Sequence, residues 1–138
     1  MNDPAFRRRD RTVLDVAPDT VVKQAARDFA GALADTDAYR AFEETERTLR
    51  SDAAAQSAIH AYRRRRASLA SGLRSGAIGE EEQQELGRFQ QSMVEQPSVR
   101  AFLEAQESLK ELCQALGDRL SGEIGFDYAS ACGGGCCG

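Results

Sequence analysis

The sequence predicts an all-α protein, an elongated antiparallel bundle of about five helices that ends in a Gly/Cys-rich C-terminal tail. Three observations predict it. The three prolines stand at positions 4, 18 and 97, so the backbone allows helix over the long stretch between the last two. That stretch is rich in Ala, Arg, Glu, Gln and Leu, which lose little side-chain freedom in a helix. Its apolar residues recur every three or four positions instead of alternating as in strands.

Composition limits the class of protein further. A chain of 138 residues with 41% hydrophobic residues suits one globular domain with short tails. The net charge of -4 excludes a uniformly basic nucleic-acid binder of the histone kind. The start, MNDPAFRRRDRT, lacks the apolar core of a signal peptide, and no apolar run is long enough to span a membrane. We therefore expect a cytoplasmic protein without a membrane contact.

The first two helices are predicted from apolar spacing and caps. The first follows Pro18 and runs from Asp19 to about Ala34. Its apolar face consists of Val22, Ala25, Ala26, Phe29 and Leu33. Thr36 or Asp37 can cap the second helix, since a short polar side chain accepts a hydrogen bond from a free N–H of the first turn. The second helix has apolar residues at Tyr39, Phe42 and Leu49.

Ser51 or Asp52 is the expected N-cap of a third helix. We predict it as one long helix to about Ser75, with Arg66 interrupting its apolar spacing. The apolar positions of this helix are Ile59, Tyr62, Leu69 and Leu73.

Two glycines in the segment 75–79 predict a turn before a fourth helix. Its start is marked by the acidic residues 80–82, because carboxylates favour the positive end of the helix dipole. Its packing residues are Leu86, Phe89 and Met93. Pro97 suits the first turn of a last helix to about Leu120, where a missing N–H costs nothing. The apolar residues of that helix are Val99, Phe102, Leu109, Cys113, Leu116 and Leu120.

Long helices with narrow apolar faces predict a homodimer or a mixed oligomer, because a chain of this size leaves part of each face uncovered. The residues expected in the core or in such an oligomer contact are Tyr62, Leu69, Phe102, Leu109, Cys113 and Leu116. The domain plan is a flexible basic N-terminal tail over residues 1–17, a helical domain over 18–121 and a metal-binding tail over 122–138, here called the cysteine tail.

Three of the four cysteines, Cys132, Cys136 and Cys137, lie in the cysteine tail, with only glycines between the first two. Clustered thiolates bind zinc or iron–sulfur clusters, and glycines let the backbone fold around one metal centre. A closed site needs four protein ligands, so the fourth must come from elsewhere, and we expect a centre shared with another chain. The alternatives are a tail without a fixed structure, or thiols that exchange metal or disulfides with other proteins.

Cys113 is a candidate for the fourth ligand, but it stands at an apolar position between Leu109 and Leu116. A free cysteine at such a position usually behaves as a small buried hydrophobe, so we expect it in the core.

Arg63, Arg64, Arg65 and Arg66 follow one another in the third predicted helix. Four consecutive residues spread around most of a helix and cannot form one phosphate-binding stripe. We therefore favour a solvated, ion-paired surface, with the carboxylates of Glu43, Glu44 and Glu46 as available partners. A contact with RNA or with an acidic protein is the alternative, and aromatic residues for stacking on bases are few.

The sequence contains no arrangement that indicates catalysis. His60 is the only histidine, which excludes a triad or a zinc site with several imidazoles, and we expect it on the surface. No glycine loop of a nucleotide-binding type is present. We expect a protein that is not an enzyme.

The chain resembles the YlbF/YmcA family of small helical regulators in three stretches and in the cysteine tail that follows them. These are AARDFAGALADTDAYRAFEETERTL, DAAAQSAIHAYRRRRASL and MVEQPSVRAFLEAQESLKELCQALGDRL. The last stretch is the most specific. The family typically has a short helix, a break at a pair such as Asn-Pro, and then a helix that contains a Phe-Leu pair followed by a Gln-Glu pair. In this chain the break is Gln96-Pro97.

The resemblance implies an oligomeric, non-catalytic accessory protein. Its expected partners are related YlbF/YmcA-type proteins and a YaaT-type protein, in a complex that carries four-iron clusters and acts on RNA maturation by an endoribonuclease. Cluster ligation carries over only to Cys132, Cys136 and Cys137, with zinc as the alternative metal.

Overall fold

A computed structural model describes residues 18–127 and residue 130 of the chain. The regular elements of this part are six α-helices, which confirms the all-α class. They are α1 (Asp19–Ala34), α2 (Asp37–Ser51), α3 (Ala53–Ser68), α4 (Ala70–Ser75), α5 (Glu80–Val94) and α6 (Pro97–Ile124).

The chain divides into two units between Asp35 and Thr36, so α1 belongs to one unit and α2 to α6 belong to the other. Helix α1 starts and ends where the sequence predicts. Its apolar face is exposed, with Val22 at 55% and Phe29 at 54% of their maximal accessibility, and only Leu33 and Ala34 are half-buried.

In the second unit, α2 packs mainly against α6, and α3 packs mainly against α5. The C-terminal end of α2 meets the N-terminal end of α6, because the Ser98 hydroxyl donates a hydrogen bond to the Asp52 carboxylate. The two helices are therefore antiparallel. Leu49, Ala55 and Val99 form the buried core, and the side chains of Ile59, Met93 and Phe102 pack around it.

The predicted helix starts are confirmed at the level of single hydrogen bonds. The Thr36 hydroxyl oxygen accepts a hydrogen bond from the Tyr39 N–H at 3.2 Å, and an Asp52 carboxylate oxygen accepts one from the Ala55 N–H at 3.0 Å. Pro97 occupies the first turn of α6. Such caps satisfy N–H groups that have no partner inside the helix.

The prediction of one continuous third helix is wrong, because the helix breaks at Leu69 into α3 and α4. The Leu69 N–H is shared between the carbonyls of Arg65 and Arg66, at 3.2 Å each, so the last turn of α3 is tightened. Leu69 itself is 7% exposed. Apolar periodicity predicts the burial of Leu69 but not its irregular backbone, whose φ of -100° and ψ of 3° interrupt the helix.

The last helix is longer than predicted. It continues through Ser121 and Gly122 to Ile124, because one glycine in a helix costs only about 1 kcal/mol. It ends at Gly125, whose φ of +68° is the left-handed conformation that glycine adopts without strain.

The helix boundaries reveal an internal repeat with an offset of 60 residues. Helices α1 and α5 end at Ala34 and Val94, a two-residue break follows each, and α2 and α6 start at residues 37 and 97. The sequence repeats with the same offset: Phe29, Arg40, Ala41, Phe42, Glu44 and Leu49 correspond to Phe89, Arg100, Ala101, Phe102, Glu104 and Leu109.

Phe42 and Phe102 occupy equivalent positions in the two repeats, and their rings lie 5.4 Å apart between centroids with an interplanar angle of 39°. Because α2 and α6 are antiparallel, this pair lies close to an approximate two-fold axis that relates the two helices. The second unit is thus built around two copies of one helical segment.

Candidate functional site

The cysteines predicted to bind metal, Cys132, Cys136 and Cys137, lie outside the described residues. Their ligation of a cluster or of zinc stays a prediction. Within residues 18–127 and 130, no group of three or more His, Cys, Asp and Glu side chains is placed to hold a metal ion.

The expected burial of Cys113 is wrong, because this cysteine is exposed in the chain. The reason is the unequal length of the two packed helices. At 1.5 Å per residue, α6 is about 42 Å long and α2 about 22 Å, so α2 cannot cover all of α6. The buried residues of α6 are Ser98, Val99 and Ala105, all in its first third. Cys113 lies beyond them, at the edge of the face on which Leu112 and Leu116 are half-buried, and it is exposed.

The other residues expected in the core or in an oligomer contact are buried to different degrees. Leu69 is buried, and Phe102 is half-buried against Phe42. Tyr62, Leu109 and Leu116 are half-buried. The residues of this predicted set are therefore buried to different depths in the chain, and their role in an oligomer contact stays a prediction.

The four consecutive arginines of α3 have different surroundings. The Arg65 guanidinium forms an ion pair with Glu85 of α5 at 2.5 Å and donates a hydrogen bond to Ser68 at 3.2 Å. Its side chain is 28% exposed, and its Nε is buried without a hydrogen-bond partner among the described residues. The ion pair of Arg65 with Glu85 thus links α3 to α5.

This pairing corrects the expected partners of the arginines. Carboxylates of α2 were the available candidates, but Glu46 pairs within α2 with Arg50 at 2.7 Å, and the partner of Arg65 lies on α5. Arg63, Arg64 and Arg66 are exposed, and no ion pair joins them to another described residue. Three guanidinium groups are therefore available on the surface of α3.

Asp52 and Ser98 form a polar link that sequence reasoning missed in part. Asp52 was identified as a cap, but its second role, as the acceptor of the Ser98 hydroxyl at 2.6 Å, joins residues far apart in the sequence. The Ser98 hydrogen bond, and after it the Ala55 N–H, lowers the pKa of the Asp52 carboxyl below its usual value.

Exposed apolar side chains concentrate in two places. In the first unit they lie on α1, at Val21, Val22 and Phe29. In the second unit they lie near the end of α6, where Leu120 is 43%, Ile124 51% and Phe126 54% exposed. Exposed apolar surface on neighbouring helical turns is typical of protein–protein contact sites.

None of the helices in the described part of the chain combines the length and apolar character that a membrane span requires. The fold and its exposed faces define a small all-helical protein with surfaces suited to binding other proteins. A family model described as "Control of competence regulator ComK, YlbF/YmcA" matches residues 22–124. The chain belongs to this YlbF/YmcA family of regulatory proteins. No curated protein and no solved structure shows a significant match to it.

Proposed function

We propose that this protein is a non-catalytic regulatory adaptor that acts through protein–protein contacts in an oligomeric complex and holds an iron–sulfur cluster with its cysteine tail. The observation that carries the adaptor function is the exposed apolar surface of α1 and of the end of α6. Apolar side chains on adjacent turns gain free energy when a partner covers them, about 25 cal/mol for each Å² removed from water.

The donor set of the cysteine tail fits an iron–sulfur cluster in its chemistry. Cys132, Cys136 and Cys137 supply three thiolates, and a four-iron cluster takes four. The exposed thiol of Cys113 is one available fourth ligand, and a cysteine of another chain is the other. A cluster held between chains would make the assembly of the complex depend on iron and on redox state.

Family membership supports the choice of partners. Related YlbF/YmcA-type proteins and a YaaT-type protein are the proposed members of the complex, and an endoribonuclease that matures RNA is its proposed target. The family description, control of the competence regulator ComK, supports a regulatory role without naming these partners.

The cluster is tested by purifying the protein without air and measuring iron, zinc and sulfide per chain. We expect equal iron and sulfide in the wild type and their loss in the triple variant of Cys132, Cys136 and Cys137 to Ser, with unchanged helical circular dichroism. Cys113→Ser distinguishes the two sources of the fourth ligand: it retains the cluster if that ligand comes from another chain and loses it if the ligand is Cys113. A colourless protein with zinc, or metal-free thiols that stay accessible, would overturn the cluster and favour metal trafficking or thiol exchange.

The adaptor function is tested by isolating the tagged protein from its own cells without air. We expect YlbF/YmcA-type and YaaT-type proteins in the complex. Their absence, together with a monomeric protein, would contradict the adaptor function even if a cluster is present.

A second candidate function, binding of RNA, is favoured by one observation, the three exposed guanidinium groups of Arg63, Arg64 and Arg66. Its test is the affinity for single-stranded RNA at several salt concentrations, since release of counterions makes such binding weaken steeply with salt. A variant with these arginines changed to Gln should lose affinity. The control changes Arg47, Arg74 and Arg100, which are also exposed, and has the same net charge.

A further inference from the structure

The internal repeat makes α5 the counterpart of α1. Phe29 and Leu33 of α1 correspond to Phe89 and Met93 of α5, and the breaks that follow the two helices have the same length. The two helices nevertheless differ in burial. Phe89 and Met93 are half-buried, whereas Phe29 is 54% exposed.

The apolar residues of α5 are half-buried because α5 packs on α3, the helix that follows α2. Phe89 lies beside Ala61, Arg64 and Ser68 of α3, around a shallow depression of about 290 Å³. The Arg65–Glu85 ion pair closes one side of this contact.

The repeat also identifies the counterpart of α3. Since α2 corresponds to the first half of α6, the segment that follows α2 corresponds to the second half of α6, residues 113–124. This half carries the exposed apolar side chains Leu120 and Ile124. With the repeat offset of 60 residues, Ile124 corresponds to Arg64 of α3. Arg64 lies next to Phe89.

The two copies of the internal repeat differ in one respect. The backbone bends at Asp52, with φ -84° and ψ 98°, between α2 and α3, and after this bend α3 packs on α5. Helix α6 contains no such bend and continues as one helix through residues 97–124. Val22 and Phe29 of α1 and Leu120 and Ile124 of α6 are exposed apolar side chains.

We propose that a second copy of this chain covers these faces: α1 of each copy packs on residues 113–124 of α6 of the other copy. The exchange is reciprocal, so it gives a closed two-fold dimer with two identical contacts between α1 of one copy and residues 113–124 of the other. Each of these contacts is called a joint below. Each joint repeats, between copies, the packing of α5 on α3 within the chain.

The chemistry of the two faces fits this contact. The ion-paired residues Glu85 and Arg65 correspond to Ala25 and Gly125 in the second half of the repeat, so the counterpart contact lacks their charges. Ala25 in α1 and Gly125 at the C-terminal cap of α6 are small and uncharged, so the two segments can approach closely, and apolar neighbours such as Phe29 and Ile124 then exclude water. The joint is an apolar contact that needs no metal and no other protein.

The dimer rests on the proposed adaptor function and deepens it by naming a second copy as the partner of both exposed apolar surfaces, α1 and the end of α6. It does not depend on the cluster. Sedimentation of the full chain should give the mass of a dimer, also when all four cysteines are changed to Ser. Phe29→Asp should raise the dimer dissociation constant at least about tenfold, because it places a charge in the joint. Gln24→Asp, on the opposite face of α1, adds the same charge and should leave the dimer intact.

Disulfide trapping then tests the geometry. In the chain without native cysteines, Phe29→Cys and Ile124→Cys are introduced in separate copies, which are mixed and oxidised with copper phenanthroline. We expect a cross-linked pair from this mixture and little from Gln24→Cys mixed with Ile124→Cys. A monomer at all concentrations, an unchanged dimer in Phe29→Asp, or a bond formed only within a chain that carries both cysteines would each overturn the proposal. None of these results bears on whether the wild type holds a cluster.

Discussion

The hydroxyl of Ser98 donates a hydrogen bond of 2.6 Å to the Asp52 carboxylate, and the same carboxylate caps α3 through the Ala55 N–H at 3.0 Å. One side chain therefore starts α3 and also fixes the end of α2 against the start of α6. Because the pKa of Asp52 is lowered in the folded protein, the ionised carboxylate stabilises the fold.

The free energy of unfolding should accordingly fall as the pH drops below 3.8, the usual pKa of Asp, and should keep falling until the pH has passed the lower pKa of Asp52 in the folded state. Above 3.8 this contribution is fully present. We expect the urea midpoint of the wild type to decrease over this acidic range and that of Asp52→Asn to decrease less. Ser98→Ala, which keeps the carboxylate but removes its main hydrogen bond, should lie between them. Equal pH slopes in all three proteins would contradict the assignment.

Leu49 is a central residue of the core, 9% exposed and packed with Ala55 and Val99. Leu49→Ala should lower the free energy of unfolding by about 2 to 4 kcal/mol, because it removes buried methyl groups and leaves a cavity. Leu103→Ala is the matched control, since Leu103 on α6 is 43% exposed, and it should cost less than about 1 kcal/mol. Chemical denaturation of both variants measures the difference, and equal losses would mean that the core lies elsewhere.

Two glycines in helices should respond to alanine in opposite directions. At Gly72 in α4, an added Cβ would lie 2.7 Å from Ile78 Cγ2, so Gly72→Ala must displace the half-buried Ile78 side chain and should destabilise the protein. At Gly87 in α5, an added Cβ meets no atom within 4 Å, and Gly87→Ala should stabilise by about 0.5 to 1 kcal/mol through the helix preference of alanine. Thermal unfolding compares the two variants. A Gly72→Ala protein as stable as Gly87→Ala would show that Ile78 does not pack on α4.

The ion pair between Arg65 and Glu85 should make a measurable contribution, although both side chains are partly exposed, at 28% and 42%. A double-mutant cycle with Arg65→Met and Glu85→Gln should give a coupling of about 0.5 to 1 kcal/mol that weakens with salt. The exposed pair Lys110–Glu107 on α6, at 3.3 Å, is the control and should give a coupling near zero. A coupling at Arg65 no larger than this control would show that α3 and α5 associate through apolar packing alone.

Local signals predicted the helices well because caps and proline act within one turn. Thr36, Asp52 and Pro97 mark helix starts that the structure confirms, and Ala34 ends α1 where predicted. The apolar spacing also identified the core residues Leu49 of α2 and Val99 of α6. These features depend on bonds between residues three or four apart, which a sequence displays directly.

Other features depend on partners distant in sequence. The break at Leu69, the exposure of Cys113 and the pairing of Arg65 with α5 were not predicted, since each depends on which helix lies opposite and how far it extends. The repeat was available in the sequence, as Arg-Ala-Phe at 40–42 and at 100–102, but it gains meaning from the antiparallel packing of Phe42 on Phe102.

The sequence by itself determined the all-α class and the helix starts, because short-range hydrogen bonding and apolar periodicity fix these. Its resemblance to known proteins indicated the family to which the chain belongs. The tertiary structure alone decided which apolar residues become buried. Helix α6 is longer than α2, which packs on it, so part of the apolar face of α6 stays exposed. Burial depends on the length and placement of the opposite surface, which periodicity does not contain.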